Sequence, residues 1–356
     1  MERTTRWVLF LLAAELVFVQ PAVGHEAYTV PQEQFHEGLA STTANPLAPL
    51  ALHHYIWLTL GVFGFVGVTY LVEMLFIATE TGYTVDTFIK HGEKYGPVLV
   101  RVAVGLSFLF AAYTDTIFGP ELSLFQLPFP HVLKFVLFAV GVMLLTGFLV
   151  ETAAVAGLVL FTITAFQFGE YLLTYANYLG ELLVLVLFGS RHLSLDGLLF
   201  GERDRSVFDW LDRFSDLEIP IIRVFYGVAL IYAGVTIKFL HQDIAVQVFH
   251  QYHLGQFFPA SAQWTAAFFG VGEVLVGLLI LLGLTVRWTT LLSLFFITIS
   301  LFYFQELLWP HLILYGISFN LIINTQDRLS LDGKLIPWLH EKLEGHYHRY
   351  IKGEPA

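Results

Sequence analysis

RVAVGLSFLFAAYT at 101–114 returns as RVFYGVALIYAGVT at 223–236, with Arg101 over Arg223, Gly105 over Gly227 and Ala111 over Ala233. Both stretches are apolar with no period-two alternation, so they predict helices rather than strands. A second pair follows: GVMLLTGFLVETAAVAGLVLFTITAFQFGE (141–170) matches GLLILLGLTVRWTTLLSLFFITISLFYFQE (277–306). That register runs without a gap to LSLDG at 193–197 and again at 329–333. Matched segments at fixed spacing mark an internal repeat. The first pair is 122 residues apart and the second 136, so the second unit carries 14 extra residues in the loop after its first helix.

Working outward from the repeat, nine apolar spans emerge: 55–78, 97–118, 131–150, 152–173, 174–190, 219–240, 264–284, 288–308 and 310–325. Most approach the ~20 residues that carry an α-helix across a bilayer. The chain is 56% hydrophobic and 13% charged, against about 25% charged in soluble domains. Lipid is therefore its solvent, and continuous apolar runs select helices over a barrel. The expected fold is all-α: a polytopic membrane helical bundle of about nine transmembrane helices with two parallel four-helix repeats. Four spans per unit is an even number, so the two units face the same way, unlike the inverted repeats of many transporters.

Charge sets the orientation. With 25–54 outside, the inner segments 79–96, 191–217, the turn at 287 and the tail after 325 hold nearly all the Lys and Arg. Segments 25–54 and 241–263 hold none, and Lys134 is the exception on the outer side. This asymmetry predicts a cell-membrane protein with its mature N-terminus outside and its C-terminus cytoplasmic. A net charge of −11 argues against a nucleic-acid partner, and the absence of Cys removes disulfides, thiolate sites and thiol catalysis.

Arg3 and Arg6, the apolar run Trp7–Val19, and small residues Ala22 and Gly24 before His25 read as a signal peptide over 1–24. Glu15 interrupts the run, and an uncleaved anchor is the alternative. The remaining divisions are an extracytoplasmic segment (25–54), an extra transmembrane helix with an inner linker (55–96), unit A (97–200), an amphipathic inner linker (201–217), unit B (218–335) and a tail (336–356).

Among the 14 His residues, several gather on the predicted outer side. Cleavage before His25 would place its free amine and imidazole side by side, two ligands for copper. His36, His53, His54, His241, His250 and His253 are further outer candidates for Cu or Zn. His53 and His54 are adjacent, about 100° apart on a helix, and read equally as an interfacial pair. His250 and His253 share a face if their loop is helical, with an interfacial amphipathic helix as the rival reading. Glu170 and Glu306 occupy the same position in the two units, at the outer ends of the third helices, as cation ligands or as rim carboxylates. Lys238 and Glu273 lie within spans, where an ionisable residue calls for a partner. Arg101 and Arg223 are expected to snorkel toward headgroups, and LSLDG to be a plain turn.

IPIIRVFYGVALIYAGVTIKFL, followed by GVGEVLVGLLILLGLTVRWTTLL, resembles the DoxX family of four-helix membrane proteins. The resemblance rests on Arg223, Gly227, Gly234, Lys238, Glu273, Gly277, Gly283 and Arg287 and covers about 218–335, with the first unit extending it to 97–200. The first unit departs from the pattern: Thr116 stands where Lys238 is, and Leu137 where Glu273 is. The resemblance implies a place in a membrane redox complex, as for the DoxD subunit of thiosulfate:quinone oxidoreductase.

The leading expectation is an accessory or subunit of an outward-facing redox or Cu/Zn-handling system. A quinone-linked electron-transfer subunit with a soluble extracytoplasmic or membrane redox partner is the second, with Lys238 and Glu273 as cofactor-binding residues. A small-solute or ion transporter is the third.

Overall fold

The computed structural model describes residues 35, 37–39, 41–43, 47, 52–79, 84–85, 88–89, 91–189, 192–200, 214, 216–258, 260–324, 327, 329–335 and 337–338. The signal peptide, His25, His36 and most of the linker and tail lie outside them.

A helix forms at each of the nine apolar spans. They are α1 (Leu52–Ala78), α2 (Gly96–Tyr113), α3 (Pro130–Thr146), α4 (Val150–Phe168), α5 (Ala176–Phe188), α7 (Glu218–Ala233), α9 (Ala262–Leu282), α10 (Val286–Tyr303) and α11 (Trp309–Ile323). Two short ones lie between them, α6 (Leu195–Phe200) and α8 (Gln242–Gln251). Six helical stretches among the described residues are long and apolar enough to cross a membrane, and α3 and α11 are shorter apolar helices. The protein is an all-α polytopic helical bundle.

Helix ends depart from the apolar runs where the backbone turns. The run 97–118 is helical only to Tyr113, because Asp115 and Phe118 take left-handed φ values of 59° and 60°. The chain then forms a small antiparallel hairpin, Thr116–Ile117 with Gly119–Ser123. The run 152–173 breaks at Gly169, φ 60°, and continues as a 3₁₀ segment to Tyr175. The extra residues of the second unit fold as α8, which buries Ile244, Ala245, Val248 and Phe249 and exposes Asp243 and His250.

The first helix of each unit packs on the second helix of its own unit and on the last helix of the other: α2 on α3 and α11, α7 on α9 and α5. Close approach within a unit depends on glycine. A Cβ added to Gly227 would sit 2.7 Å from the carbonyl oxygen of Gly277, and one added to Gly277 would sit 2.9 Å from that of Gly227. Gly105 and Gly141 meet in the same way in the first unit. Backbone cannot yield as a side-chain tip can, so Gly227→Ala must part α7 from α9. The expected loss is about 1–3 kcal/mol, read as a lower unfolding midpoint in detergent. Gly272→Ala, with nothing within 4 Å of the added carbon, is expected to leave the midpoint unchanged.

The LSLDG segments are more than turns. Asp196 accepts from the N–H groups of Leu149 (2.9 Å) and Val150 (3.1 Å), and Asp332 from those of Thr285 and Val286 (both 2.8 Å). Each aspartate thus caps the N-terminus of its unit's third helix from a distant loop, satisfying donors that a helix cannot satisfy itself. Gly147 (φ 70°) and Gly283 (φ 68°) supply the left-handed turns that release α3 and α9 into these caps.

Arg101 and Arg223 do not snorkel. Both are buried, and each reaches an LSLDG loop: Arg101 Nη2 donates to Leu193 O at 2.8 Å and Arg223 Nη2 to Leu329 O at 3.3 Å. Arg223 also pairs with Asp327 at 3.0 Å, both side chains 2% exposed, and donates to the carbonyls of Ile280 and Leu281. For Arg223 the last-turn carbonyls of α9, the Leu329 carbonyl and the Asp327 carboxylate together surround the guanidinium with acceptors.

α1 stands largely bare of protein, with Trp57, Phe63 and Leu75 among its exposed side chains. Among the described residues a polar patch holds it to the second unit, beside ring contacts of His54 with Trp264 and Phe76 with Trp288. Tyr70 donates to Asp332 Oδ1 (2.7 Å), and Glu73 Oε2 accepts from Trp288 Nε1 (2.7 Å) with Arg287 at 3.9 Å. These residues, with Thr69 and Thr285, line a cavity of about 10 Å³, close to the room of one water.

Candidate functional site

The last turn before α8 is not α-helical. Residues Gly234–Leu240 form a π-helix, the wider turn that often marks functional positions. It lies against α9, where Gly270 leaves room: a Cβ there would meet Lys238 Cβ at 2.9 Å. The widened turn and the missing side chain bring Lys238 Nζ to 2.6 Å from Glu273 Oε2. The two side chains are 13% and 18% exposed, so the pair is largely but not wholly enclosed. Both charges sit within membrane-spanning stretches, where each would be costly without the other. Lys238 and Glu273, each expected to need a partner within its span, are partners of one another. At the matching place in the first unit, Thr116 bonds Thr114 at 2.8 Å and Leu137 is a core residue.

A second buried charge cluster lies at the α8 end of the bundle. Glu306 Oε2 is 2.5 Å from His311 Nε2, with side chains 0% and 3% exposed, and Ser300 donates to Glu306 Oε1 at 2.5 Å. Its counterpart Glu170 is exposed on the 3₁₀ segment. The two carboxylates therefore have unlike surroundings, although their sequence positions match. His311, the partner of Glu306, stands where the first unit has Tyr175, and Tyr175 donates to Glu121 at 2.6 Å.

The histidines expected on the outer side are distributed. His241 Nδ1 lies 2.6 Å from the Ser41 carbonyl. The His53 and His54 rings lie 3.9 Å apart, and His54 sits edge-on to Trp264. His250 is in the last turn of α8, whereas His253 is beyond it with φ 53°, so the two do not share a helical face. Among the described residues, no group of three or more His, Asp or Glu is placed to hold a metal ion.

Sequence reasoning passed over three carboxylates. Glu181 is the single charge in the run 174–190 and is fully buried, with neither oxygen hydrogen-bonded among the described residues. Its position inside an apolar span was the available signal. Glu121 accepts from Tyr171 and Tyr175, and Asp327 pairs with Arg223. Glu121 sits in the short hairpin and Asp327 in a loop, where a lone carboxylate carries no pattern to read.

Residues 219–306, from the start of α7 to Glu306, match the DoxX family model. No curated protein and no solved structure matches the chain. The match contains Arg223, the π-helical turn, Lys238 and Glu273, so this segment of the membrane bundle is similar to DoxX.

Proposed function

We propose that this protein is a membrane subunit of an outward-facing redox system, with Lys238 and Glu273 as the place where a quinone headgroup docks. The observation that carries this reading is the 2.6 Å Lys238–Glu273 contact within membrane-spanning helices, partly reachable from their surface. A quinone carbonyl accepts hydrogen bonds, and the Lys238 ammonium donates them. Reduction to the quinol takes up two electrons and two protons, and Glu273 is a group that can hand a proton to the ring oxygen. The electrons would come from a soluble extracytoplasmic reductant protein.

The test uses quinone extracted from the purified protein. The double variant Lys238→Thr with Glu273→Leu installs apolar or neutral groups together, which spares the fold an uncompensated buried charge. It is expected to reduce retained quinone by about tenfold, equivalent to about 1.4 kcal/mol of binding. Equal retention in the variant would remove the headgroup site.

A second reading, copper or zinc handling, has one support. Phe35 is buried against Ile237, Ile244 and Val248, and Thr43 N donates to Leu240 O at 2.7 Å beside His241. The N-terminal segment is thereby brought to an outer histidine. Stoichiometric metal in the purified protein, lost with His241→Ala, would favour this reading.

A further inference from the structure

The two units place different chemistry on the same scaffold. On α10, Thr285, Thr289 and Ser293 are four residues apart and all buried, so they form one stripe of hydroxyls facing the core. At the repeat offset, α4 carries Leu149, Ala153 and Gly157. Tyr226, Ser318 and Glu273 stand where the first unit has Val104, Leu182 and Leu137. Every one of these polar groups in the second unit faces an apolar or absent side chain in the first. The first unit packs the corresponding helices together without them, so the helix packing does not require the hydroxyls.

The groups connect in order. Asp332, at the LSLDG end, caps the helix at Thr285 N. Thr285 Oγ1 and Thr289 Oγ1 are 2.9 Å apart. One turn on, Ser293 Oγ is 3.0 Å from the Tyr226 phenol. Ser318 also faces that phenol without closing a hydrogen bond, and Glu273 lies within its electrostatic reach. Glu273 then pairs with Lys238. Beside the stripe, the Thr290 hydroxyl is fully buried and has no partner among the described residues, a condition under which proteins hold an internal water. Burial lifts the Asp332 carboxyl above the usual range, against the opposing hydrogen bonds from Val286, Tyr70 and Thr285 and the Arg223 charge.

We propose that the second unit carries a proton path from Asp332 at the LSLDG end, through Thr285, Thr289, Ser293 and Tyr226, to Glu273 and Lys238. Each hydroxyl takes a proton on an oxygen lone pair and releases its own to the next, so no group changes its net charge after a passage. Asp332 meets Thr285 through the backbone N–H and not the hydroxyl, so internal water bridges the step from Asp332 to Thr285 Oγ1, as it does the one-turn step from Thr289 to Ser293 and the step from the phenol to Glu273. The charged and titratable groups that face Glu273 are Lys238 from the π-helical turn and the Tyr226 phenol from α7. This proposal rests on Lys238–Glu273 as the reactive site and supplies the protons that quinone reduction there consumes. The rival role of the stripe is to hold helices together by hydrogen bonds.

Carbodiimide labelling separates the two. Dicyclohexylcarbodiimide enters from lipid and modifies only protonated carboxyls. The full-length protein is placed in proteoliposomes with one orientation, and Glu273 labelling is read by peptide mass spectrometry. With the pH on the α8 side fixed, acidifying the LSLDG side from about 8 to about 6 is expected to raise labelling by on the order of tenfold or more. Tyr226→Phe and Ser293→Ala are each expected to abolish that response, while Thr289→Ser keeps it. If labelling of the native protein ignores the pH on the LSLDG side, the path does not exist, whatever the variants do. A response that survives Tyr226→Phe and Ser293→Ala would assign the stripe to helix packing. No quinone is present, so failure here leaves the headgroup reading to the retention assay, and loss of quinone retention leaves the labelling result intact.

Discussion

Arg223→Met is expected to lower stability by about 3–5 kcal/mol, because it strands Asp327 as a buried charge without its partner. The pair is at 3.0 Å with both side chains 2% exposed, so water cannot take over from the guanidinium. The same substitution at Arg101 is expected to cost less, about 1–3 kcal/mol. Arg101 holds the matching loop through the Leu193 carbonyl, and a carbonyl without its donor is less costly to bury than a carboxylate. Unfolding midpoints of the two variants in the same detergent make the comparison. Equal losses would mean that loop anchoring, not the ion pair, sets the cost at position 223.

The second large effect belongs to His311→Ala. The Glu306 side chain is buried and loses the imidazole 2.5 Å away, while the Ser300 hydroxyl stays. The expected loss is again about 3–5 kcal/mol. His311→Gln, whose amide can still donate, is expected to recover part of it. The first unit provides the contrast. Tyr175→Phe removes one phenol from Glu121, but Tyr171 still donates to the same oxygen at 2.9 Å. That variant is expected to cost about 1–3 kcal/mol. If His311→Ala proves as mild as Tyr175→Phe, water reaches Glu306 once the imidazole is gone.

Much of the scaffold was legible because lipid makes helices announce themselves. Nine apolar runs became nine helices, and several ends moved where Asp115, Phe118, Gly169 and Gln305 turn the backbone left-handed. The Lys238–Glu273 contact was legible for a different reason. The repeat exposes two polar residues that one unit has and the other lacks, and buried charges in lipid must find each other. The π-helical turn that joins them left no mark in the sequence, since Gly234–Leu240 reads as a continuation of the helix.

What escaped has a common cause. Arg101 and Arg223 looked like interfacial residues, because the loops that enclose them arrive 92 and 106 residues later. Charge patterning sorted the histidines to one side, but a side is a plane and not a point. His241 meets Ser41, His54 meets Trp264, and His253 turns away beyond α8. Glu170 and Glu306 matched in position and diverged in surroundings, because residue 311 is histidine in one unit and its counterpart 175 is tyrosine in the other.

The patch that holds α1 has a consequence for how the protein is made. Tyr70 and Asp332 are 262 residues apart, so the earliest of these helices to leave the ribosome docks on a loop near the end of the chain. Until α10 begins, Glu73 has neither Arg287 nor Trp288, and a carboxylate waits in the bilayer without these partners. Tyr70 waits longer, for Asp332, so the docking of α1 is completed by the last loop. Quality-control machinery that recognises exposed intramembrane charge has, in Glu73, a marker that persists until the third helix of the second unit is made.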